Sequence, residues 1–95
     1  MKLEFWGVRG STPVSGQDRV KYGGRTICSA VETDTGELII VDAGTGIKTL
    51  GDHLLKAREK NSLDLNILMT HFHLDHILGL PFFAPLYLQE ATLHI

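Results

Sequence analysis

The sequence predicts an α/β (α+β) fold in which a mixed sheet packs against helices. Two apolar runs rich in β-branched residues, 27–33 and 37–42, indicate neighbouring strands. Helical periodicity follows over about residues 46–60, and the compact apolar run 65–70 has the length of a buried strand. In a chain of 95 residues, these elements fit one small domain with a modest core.

The N-terminal third begins with a predicted strand and a long turn region. Residues 3–8 form a short strand that the turn-rich residues 9–13 end, and the polar, glycine-rich residues 14–24 predict a surface loop. A short turn that finishes at Gly36 joins the next two apolar runs. Because glycine adopts a positive φ at little steric cost, this turn predicts a β-hairpin.

The predicted helix over residues 46–60 has one apolar face. Thr45 can cap its start, and Asn61 can end it. The residues at helical spacing are apolar except for the last of them: Ile47, Leu50, Leu54, Leu55 and Arg58. This face is expected to pack on the sheet.

The C-terminal third alternates strands with short helical segments. After the strand at 65–70, a short helix is expected to start near Asp75 and to break at Pro81. Residues 82–89 are expected to pack on the core or to turn helical again. Residues 92–95 begin another predicted strand.

Composition and charge narrow the functional classes. The formal net charge of −2 argues against bulk electrostatic attraction to nucleic acid. The longest apolar run, 77–88, is shorter than the roughly 20 residues that a membrane span needs. The first residues lack the apolar stretch of a signal peptide. The single cysteine, Cys28, rules out an internal disulfide and fits a reducing compartment, so we expect a cytoplasmic protein.

Three histidines and an aspartate lie within six residues directly after the predicted strand at 65–70. In extended backbone, alternate side chains share one face about 6.6 Å apart, so two of the histidines can converge on one ion while Phe72 turns toward the core. Burying these groups without a shared cation is costly. Nitrogen and carboxylate ligands suit zinc, manganese or iron. The candidate ligands are His71, His73, Asp75 and His76.

The His-x-His-x-Asp-His pattern after a buried strand resembles the signature of the metallo-beta-lactamase superfamily. Three further segments resemble landmarks of its phosphodiesterase-like branch: Gly7-Val8-Arg9-Gly10-Ser11-Thr12-Pro13, Tyr22-Gly23-Gly24 with Thr26 and Cys28, and Val41-Asp42-Ala43-Gly44-Thr45-Gly46. Arg25 departs from this pattern, because the branch has Asn after the glycine pair. The resemblance covers nearly the whole chain.

The resemblance implies an αββα sandwich built of two related halves, of which residues 1–95 form the N-terminal half of one domain and the C-terminal half is absent. It also implies a metal-dependent hydrolase of small-molecule or nucleotide-type phosphodiesters, with two ions, zinc or alternatively manganese or iron, in the complete domain. His71 and His73 would bind the first ion, and Asp75 and His76 the second. A water molecule would be the nucleophile.

The resemblance further implies two roles for aspartates. Asp75 would orient the attacking water and is therefore the candidate catalytic residue. Asp42 would accept a hydrogen bond from a ligand histidine. The alternative for Asp42 is a carboxylate that only caps the turn at Gly44.

Several other functions compete with the hydrolase. Val41-Asp42-Ala43-Gly44-Thr45-Gly46 lies between a strand and a helix, which is the context of a phosphate-binding loop, but the Gly-Lys-Thr sequence of such loops is missing. Cys28 is expected to be a buried thiol rather than a nucleophile. Tyr22 either approaches the substrate or belongs to a loop that needs its glycines. Finally, the chain can be a non-catalytic fragment or split half that binds metal, a complementing C-terminal half, or another copy of itself.

Overall fold

The computed structural model describes residues 1–10, 24–57, 63–70, 72–87 and 91–95. These residues form a five-stranded sheet in the order β1-β2-β3-β4-β5. The strands are β1 (Lys2–Gly7), β2 (Cys28–Glu32), β3 (Leu38–Val41), β4 (Leu63–Leu68) and β5 (Ala91–His94). The helices are α1 (Gly46–Ala57) and α2 (Leu74–Ile77), and two 3₁₀ turns follow at Leu80–Phe82 and Ala84–Tyr87.

The sheet is mixed, as the sequence predicts. Strands β1, β2 and β3 pair antiparallel, whereas β3, β4 and β5 pair parallel. The predicted hairpin joins β2 to β3. Its turn is closed by the Thr33 N–H donating to the Glu37 carbonyl at 2.9 Å, and Gly36 has a φ of 88°. Helix α1 connects β3 to the parallel strand β4.

One face of the sheet and the apolar face of α1 form the core. The strand register aligns Ala30, Ile40 and Ile67 across β2, β3 and β4, and all three are buried. Ile47 and Leu50 of α1 are 0% and 2% exposed, so the predicted amphipathic helix is confirmed. The remaining buried apolar side chains of this cluster are Cys28, Ala43, Leu65 and Phe83.

The opposite face of the sheet is apolar and largely uncovered by the described residues. Leu3, Phe5 and Leu68 are 55%, 68% and 58% exposed. The register continues this face through the partly buried side chains of Ile39 and Val41 on β3. We call this surface the outer face. Among the described residues, none of the helices is long and apolar enough to cross a membrane.

The boundaries of several elements differ from the sequence prediction. Strand β4 starts at Leu63 and ends at Leu68, whereas the apolar run predicts 65–70. It ends early because the backbone at Thr70 turns to donate to the Asp42 carboxylate. Helix α2 begins at Leu74, and two 3₁₀ turns follow it because Pro81 and Pro85 lack the N–H that an α-helix needs.

Several predicted features fall on residues outside the described ranges. The surface loop at 14–24, apart from Gly24, lies outside the described residues, as do the helix end near Asn61 and the last residues, 88–89, of the predicted segment 82–89. Thr45, the predicted cap at the start of α1, lies within the described residues. Its hydroxyl accepts a hydrogen bond from the Thr26 N–H at 2.9 Å, and the Thr45 N–H donates to the Thr26 hydroxyl at 2.7 Å.

Candidate metal centre

The candidate site lies where two parallel strands end side by side. Val41 pairs with Leu68, so the residues that follow β3 and β4 leave the sheet at the same edge. The Asp42 N–H donates to the Leu68 carbonyl at 2.8 Å, which extends the pairing by one bond. Asp42 then has a φ of 64°, a left-handed conformation that aspartate tolerates better than most residues. This kink separates the Asp42 side chain from the regular pleat of β3.

The carboxylate of Asp42 is buried and has three polar partners. The Thr70 N–H donates to Oδ1 at 2.8 Å, and the Thr70 hydroxyl donates to Oδ2 at 2.7 Å. The Nδ1 atom of His76 lies 2.9 Å from the same Oδ2. Burial raises the pKa of Asp42, but the hydrogen bonds from Thr70 and the contact with His76 outweigh burial and hold that pKa below its usual value. Asp42 is therefore ionised at neutral pH.

The ionised carboxylate determines which atom of the His76 ring carries a proton. A carboxylate without a proton only accepts hydrogen bonds, so Nδ1 must donate to Asp42. In the neutral imidazole, Nε2 then presents its lone pair. Nε2 lies 3.5 Å from Oδ2 of Asp75, and both side chains are mostly buried, at 14% and 17% exposed. Two electron-pair donors thus point toward a common region.

The spacing of these two atoms fits a shared metal ion. Ligand atoms at about 2.0–2.1 Å from a tetrahedral zinc lie about 3.4 Å apart. Nε2 of His76 and Oδ2 of Asp75 are separated by 3.5 Å. A carboxylate oxygen and an imidazole nitrogen are also donors that zinc accepts. The geometry of the pair and its donor chemistry therefore fit a divalent transition metal.

The described residues assemble only part of the predicted ligand set. No group of three or more His, Cys, Asp or Glu side chains arranged to hold a metal occurs among them. His73 is exposed and precedes α2, where its carbonyl accepts the His76 N–H at 2.9 Å. His71 lies outside the described residues. The four-ligand site stays a prediction, as does the role of Asp42 in orienting one of its ligand histidines.

One expectation about the cluster is wrong. The alternation of an extended strand predicts that Phe72 turns toward the core, but its side chain is 76% exposed. The strand ends at Leu68, so the regular alternation of faces does not continue through the histidines. Leu74 is likewise 61% exposed. Two large apolar side chains therefore flank His73 at the surface.

The glycine-rich segment after Asp42 forms the floor of the site. A Cβ at Gly44 would overlap the Asp75 carbonyl and would lie 2.5 Å from the Ile27 carbonyl and from the Thr26 hydroxyl. The Ala43 N–H donates to the His76 carbonyl at 2.7 Å, and the Ala43 carbonyl accepts the Gly79 N–H at 2.9 Å. These contacts attach α2 directly to the segment that carries Asp42.

The same hydrogen bonds argue against a phosphate-binding loop. Such a loop presents free backbone N–H groups to the phosphate oxygens. Here the N–H groups of residues 43–46 donate in turn to His76, Ile27, the Thr26 hydroxyl and the Thr26 carbonyl. The next two, at Ile47 and Lys48, donate within the first turn of α1. Gly44 and Gly46 instead allow neighbouring backbone segments to pack closely.

Cys28 is a buried thiol, as the sequence predicts. Its side chain is 0% exposed, and burial together with the nearby charge of Asp42 raises the pKa of the thiol to about 12. The reactive thiolate is therefore nearly absent at neutral pH.

We expect iodoacetamide to label Cys28 slowly in the folded protein and completely after unfolding in urea, because only the unfolded chain exposes the thiol and returns its pKa toward the ordinary value. Mass spectrometry of timed samples measures the labelled fraction, with glutathione as the exposed-thiol control. Labelling of the folded protein as fast as glutathione would contradict the buried assignment.

Sequence reasoning overlooked two contributors to the site. Thr70 was treated as the last residue of a strand, and Gly79 was not singled out. A Cβ at Gly79 would overlap the Gly44 carbonyl. A signal existed for Thr70, since a hydroxyl directly before the histidine cluster can donate to a carboxylate. Its partner, 28 positions earlier, required the strand pairing.

A comparison with protein families identifies one match. The family model described as the metallo-beta-lactamase superfamily matches residues 22–87 of the 95-residue chain. The matched range includes Asp42 and all four candidate ligands. Neither the curated proteins nor the solved structures compared with the chain gave a match. Members of this superfamily are mostly hydrolases and generally bind divalent metals such as zinc. The mixed α/β fold described above is consistent with the N-terminal half of the family fold.

Proposed function

Because this chain belongs to the metallo-beta-lactamase superfamily, we propose that it is a metal-dependent hydrolase of phosphodiesters. Its proposed metal ligands are His71, His73, Asp75 and His76. Zinc, or alternatively manganese or iron, would occupy the site, with two ions in a complete domain. The superfamily supports metal-dependent hydrolysis in general. The ligand set, the number of ions and the phosphodiester substrate are our proposals.

The convergence of Asp75 and His76 is the observation that supports the proposal most strongly. Asp42 holds the Nδ1 side of the His76 ring, which leaves Nε2 facing the Asp75 carboxylate at 3.5 Å. When bound, divalent ions of this class polarise the scissile group and activate a water molecule for attack. The protein's own contribution is positional. His76 would hold the metal ion through Nε2, and the carboxylate of Asp75 would hold it as well and orient the attacking water.

The segment that ends β1 reaches the floor of the site through backbone contacts. The Arg9 N–H donates to the Arg25 carbonyl at 3.0 Å, and Arg9 forms an isolated bridge with Thr26. Thr26 in turn packs against Gly44, beneath Asp75. The resemblance of the segments 7–13 and 22–24 to the phosphodiesterase-like branch favours a phosphodiester substrate.

We expect bis(p-nitrophenyl) phosphate to be hydrolysed in the presence of added zinc or manganese. Asp75→Asn should lower the rate by about 100-fold or more, because an amide cannot position water as the carboxylate does. Asp64→Asn is the matched control, since Asp64 is exposed and pairs with His94 on β5. Release of p-nitrophenolate measures turnover. A rate equal to that of free metal would overturn the hydrolase proposal. Cleavage of thioesters without phosphodiesters would overturn only the substrate class.

A second candidate function is a non-catalytic protein that binds metal or a partner chain. One observation favours it: the outer face exposes Leu3, Phe5 and Leu68. A contiguous apolar surface of this kind favours self-association or a complementing half. Sedimentation and turnover, measured on the same sample, separate the candidates. Turnover favours the enzyme. A metal-binding oligomer without turnover favours the second function.

A further inference from the structure

We propose that Thr70 is a positioning residue that fixes the tautomer of His76 through the carboxylate of Asp42. The inference rests on the proposed function only insofar as His76 is a metal ligand. Its structural content is independent of metal: one threonine holds both oxygens of the carboxylate to which the ring donates.

Thr70 holds the carboxylate of Asp42 at both of its oxygens. The Thr70 N–H binds Oδ1 at 2.8 Å, and the Thr70 hydroxyl binds Oδ2 at 2.7 Å. Two donors from one residue, placed on the two oxygens, prevent rotation of the carboxylate about its Cβ–Cγ bond. With only the N–H, Oδ1 would remain anchored, and Oδ2 would be held only by the ring of His76, which can move with it. The hydroxyl therefore determines where Oδ2 lies.

The backbone segments that carry Asp42 and Thr70 are also joined to each other. Asp42 follows β3 at a φ of 64°, and its N–H is bonded to the Leu68 carbonyl, two residues before Thr70. The two residues are thus joined by main-chain and side-chain bonds at the ends of neighbouring parallel strands. Thr70 therefore attaches Oδ2 to the edge of the sheet, in addition to the contact that His76 of α2 makes with the same atom.

The same Oδ2 atom of Asp42 also contacts the ring of His76. Nδ1 of His76 lies 2.9 Å from Oδ2, and the His76 carbonyl accepts the Ala43 N–H at 2.7 Å. Both the backbone and the ring of His76 are therefore held by hydrogen bonds to the segment that carries Asp42. An Oδ2 that stays in place selects the tautomer with the proton on Nδ1 and the lone pair on Nε2. An Oδ2 that moves away removes this selection, and both tautomers become populated.

The test compares Thr70→Val, which removes the hydroxyl but keeps the branched shape and the N–H, with Thr70→Ser, which keeps the hydroxyl. In metal-free protein under mildly alkaline conditions, ¹⁵N chemical shifts report which ring nitrogen of His76 is protonated. Wild type and Thr70→Ser should show one tautomer, with the proton on Nδ1. Thr70→Val should show a mixture. Thr70→Ala, which removes the hydroxyl without a new methyl group, is measured in the same way should the valine variant fail to fold.

Zinc titration against a competing chelator supplies the second readout. The affinity should fall about 10–100-fold in Thr70→Val and stay close to the wild-type value in Thr70→Ser. An unchanged tautomer in the variants without the hydroxyl would overturn the proposal, as would equal losses of affinity in Ser and Val. If wild-type protein binds no zinc, the proposed function fails, whereas the tautomer measurement still decides the role of Thr70.

Discussion

The affinity for zinc is expected to fall about 10–100-fold when Asp42 is replaced by asparagine. Asparagine preserves the size of the side chain, and its carbonyl oxygen can still accept the Thr70 N–H. Its amide NH₂ group, however, takes the place of Oδ2, which accepts from the Thr70 hydroxyl and lies 2.9 Å from Nδ1 of His76. A donor facing Nδ1 favours the tautomer with its proton on Nε2. That proton occupies the lone pair through which His76 would bind metal.

The matched control for this prediction is Asp52→Asn on α1, where an exposed carboxylate pairs with Lys48 at 3.2 Å. This variant should bind zinc as the wild type does. Isothermal titration of both variants, together with their thermal melts, measures affinity and stability separately. If Asp42 only shapes the turn before Gly44, Asp42→Asn will lower stability by about 1 kcal/mol and leave zinc affinity unchanged. That result would remove the positional role assigned to Asp42.

Gly44→Ala is expected to destabilise the fold by about 3 kcal/mol or more. The new methyl group would overlap the Asp75 carbonyl and would lie 2.5 Å from the Ile27 carbonyl. Both obstacles are backbone atoms, one in α2 and one beside β2, so neither can move aside as a flexible side chain would. Domains of this size are stable by about 5–15 kcal/mol, and the loss is therefore a large fraction of the total. The variant should also disturb the position of Asp75.

Gly10→Ala is the control, because a Cβ at Gly10 meets no atom of the described residues within 4 Å. Its stability should lie within about 0.5 kcal/mol of the wild type. Urea unfolding followed by circular dichroism provides both values. A Gly44→Ala protein as stable as Gly10→Ala would mean that α2 does not pack on this segment as described.

The parts of the fold that the sequence predicts are those encoded by local patterns. The hairpin around Gly36 and the apolar face that contains Ile47 and Leu50 depend on residues close together in the chain. The end of β4 was misplaced because Met69 and Thr70 continue its apolar, β-branched composition. What turns the chain there is a bond from Thr70 to Asp42, 28 residues away. Local composition contains no information about that bond.

The candidate site likewise contains features that local sequence predicts and features that depend on distant contacts. The cluster from His71 to His76 is contiguous, so its chemistry could be proposed from the sequence alone. The contact between Asp42 and His76 spans 34 residues and depends on the parallel pairing of β3 with β4, which periodicity does not specify, so a contact of Asp42 with a histidine was expected only from the family resemblance. Phe72 was misassigned for a related reason: the alternation of a strand was extended past the point where the strand ends.

The central claim is that the histidine cluster binds a divalent transition metal, and metal content after dialysis tests it most directly. Wild-type protein is equilibrated with zinc, dialysed against metal-free buffer and analysed by plasma mass spectrometry, in parallel with His73→Ala, His76→Ala and His94→Ala. His94 is the control because it pairs with Asp64 at 2.9 Å on β5. The account predicts zinc retained by wild type and His94→Ala and reduced in the other two variants. Wild-type protein without zinc above background, or equal retention by all four proteins, would contradict it.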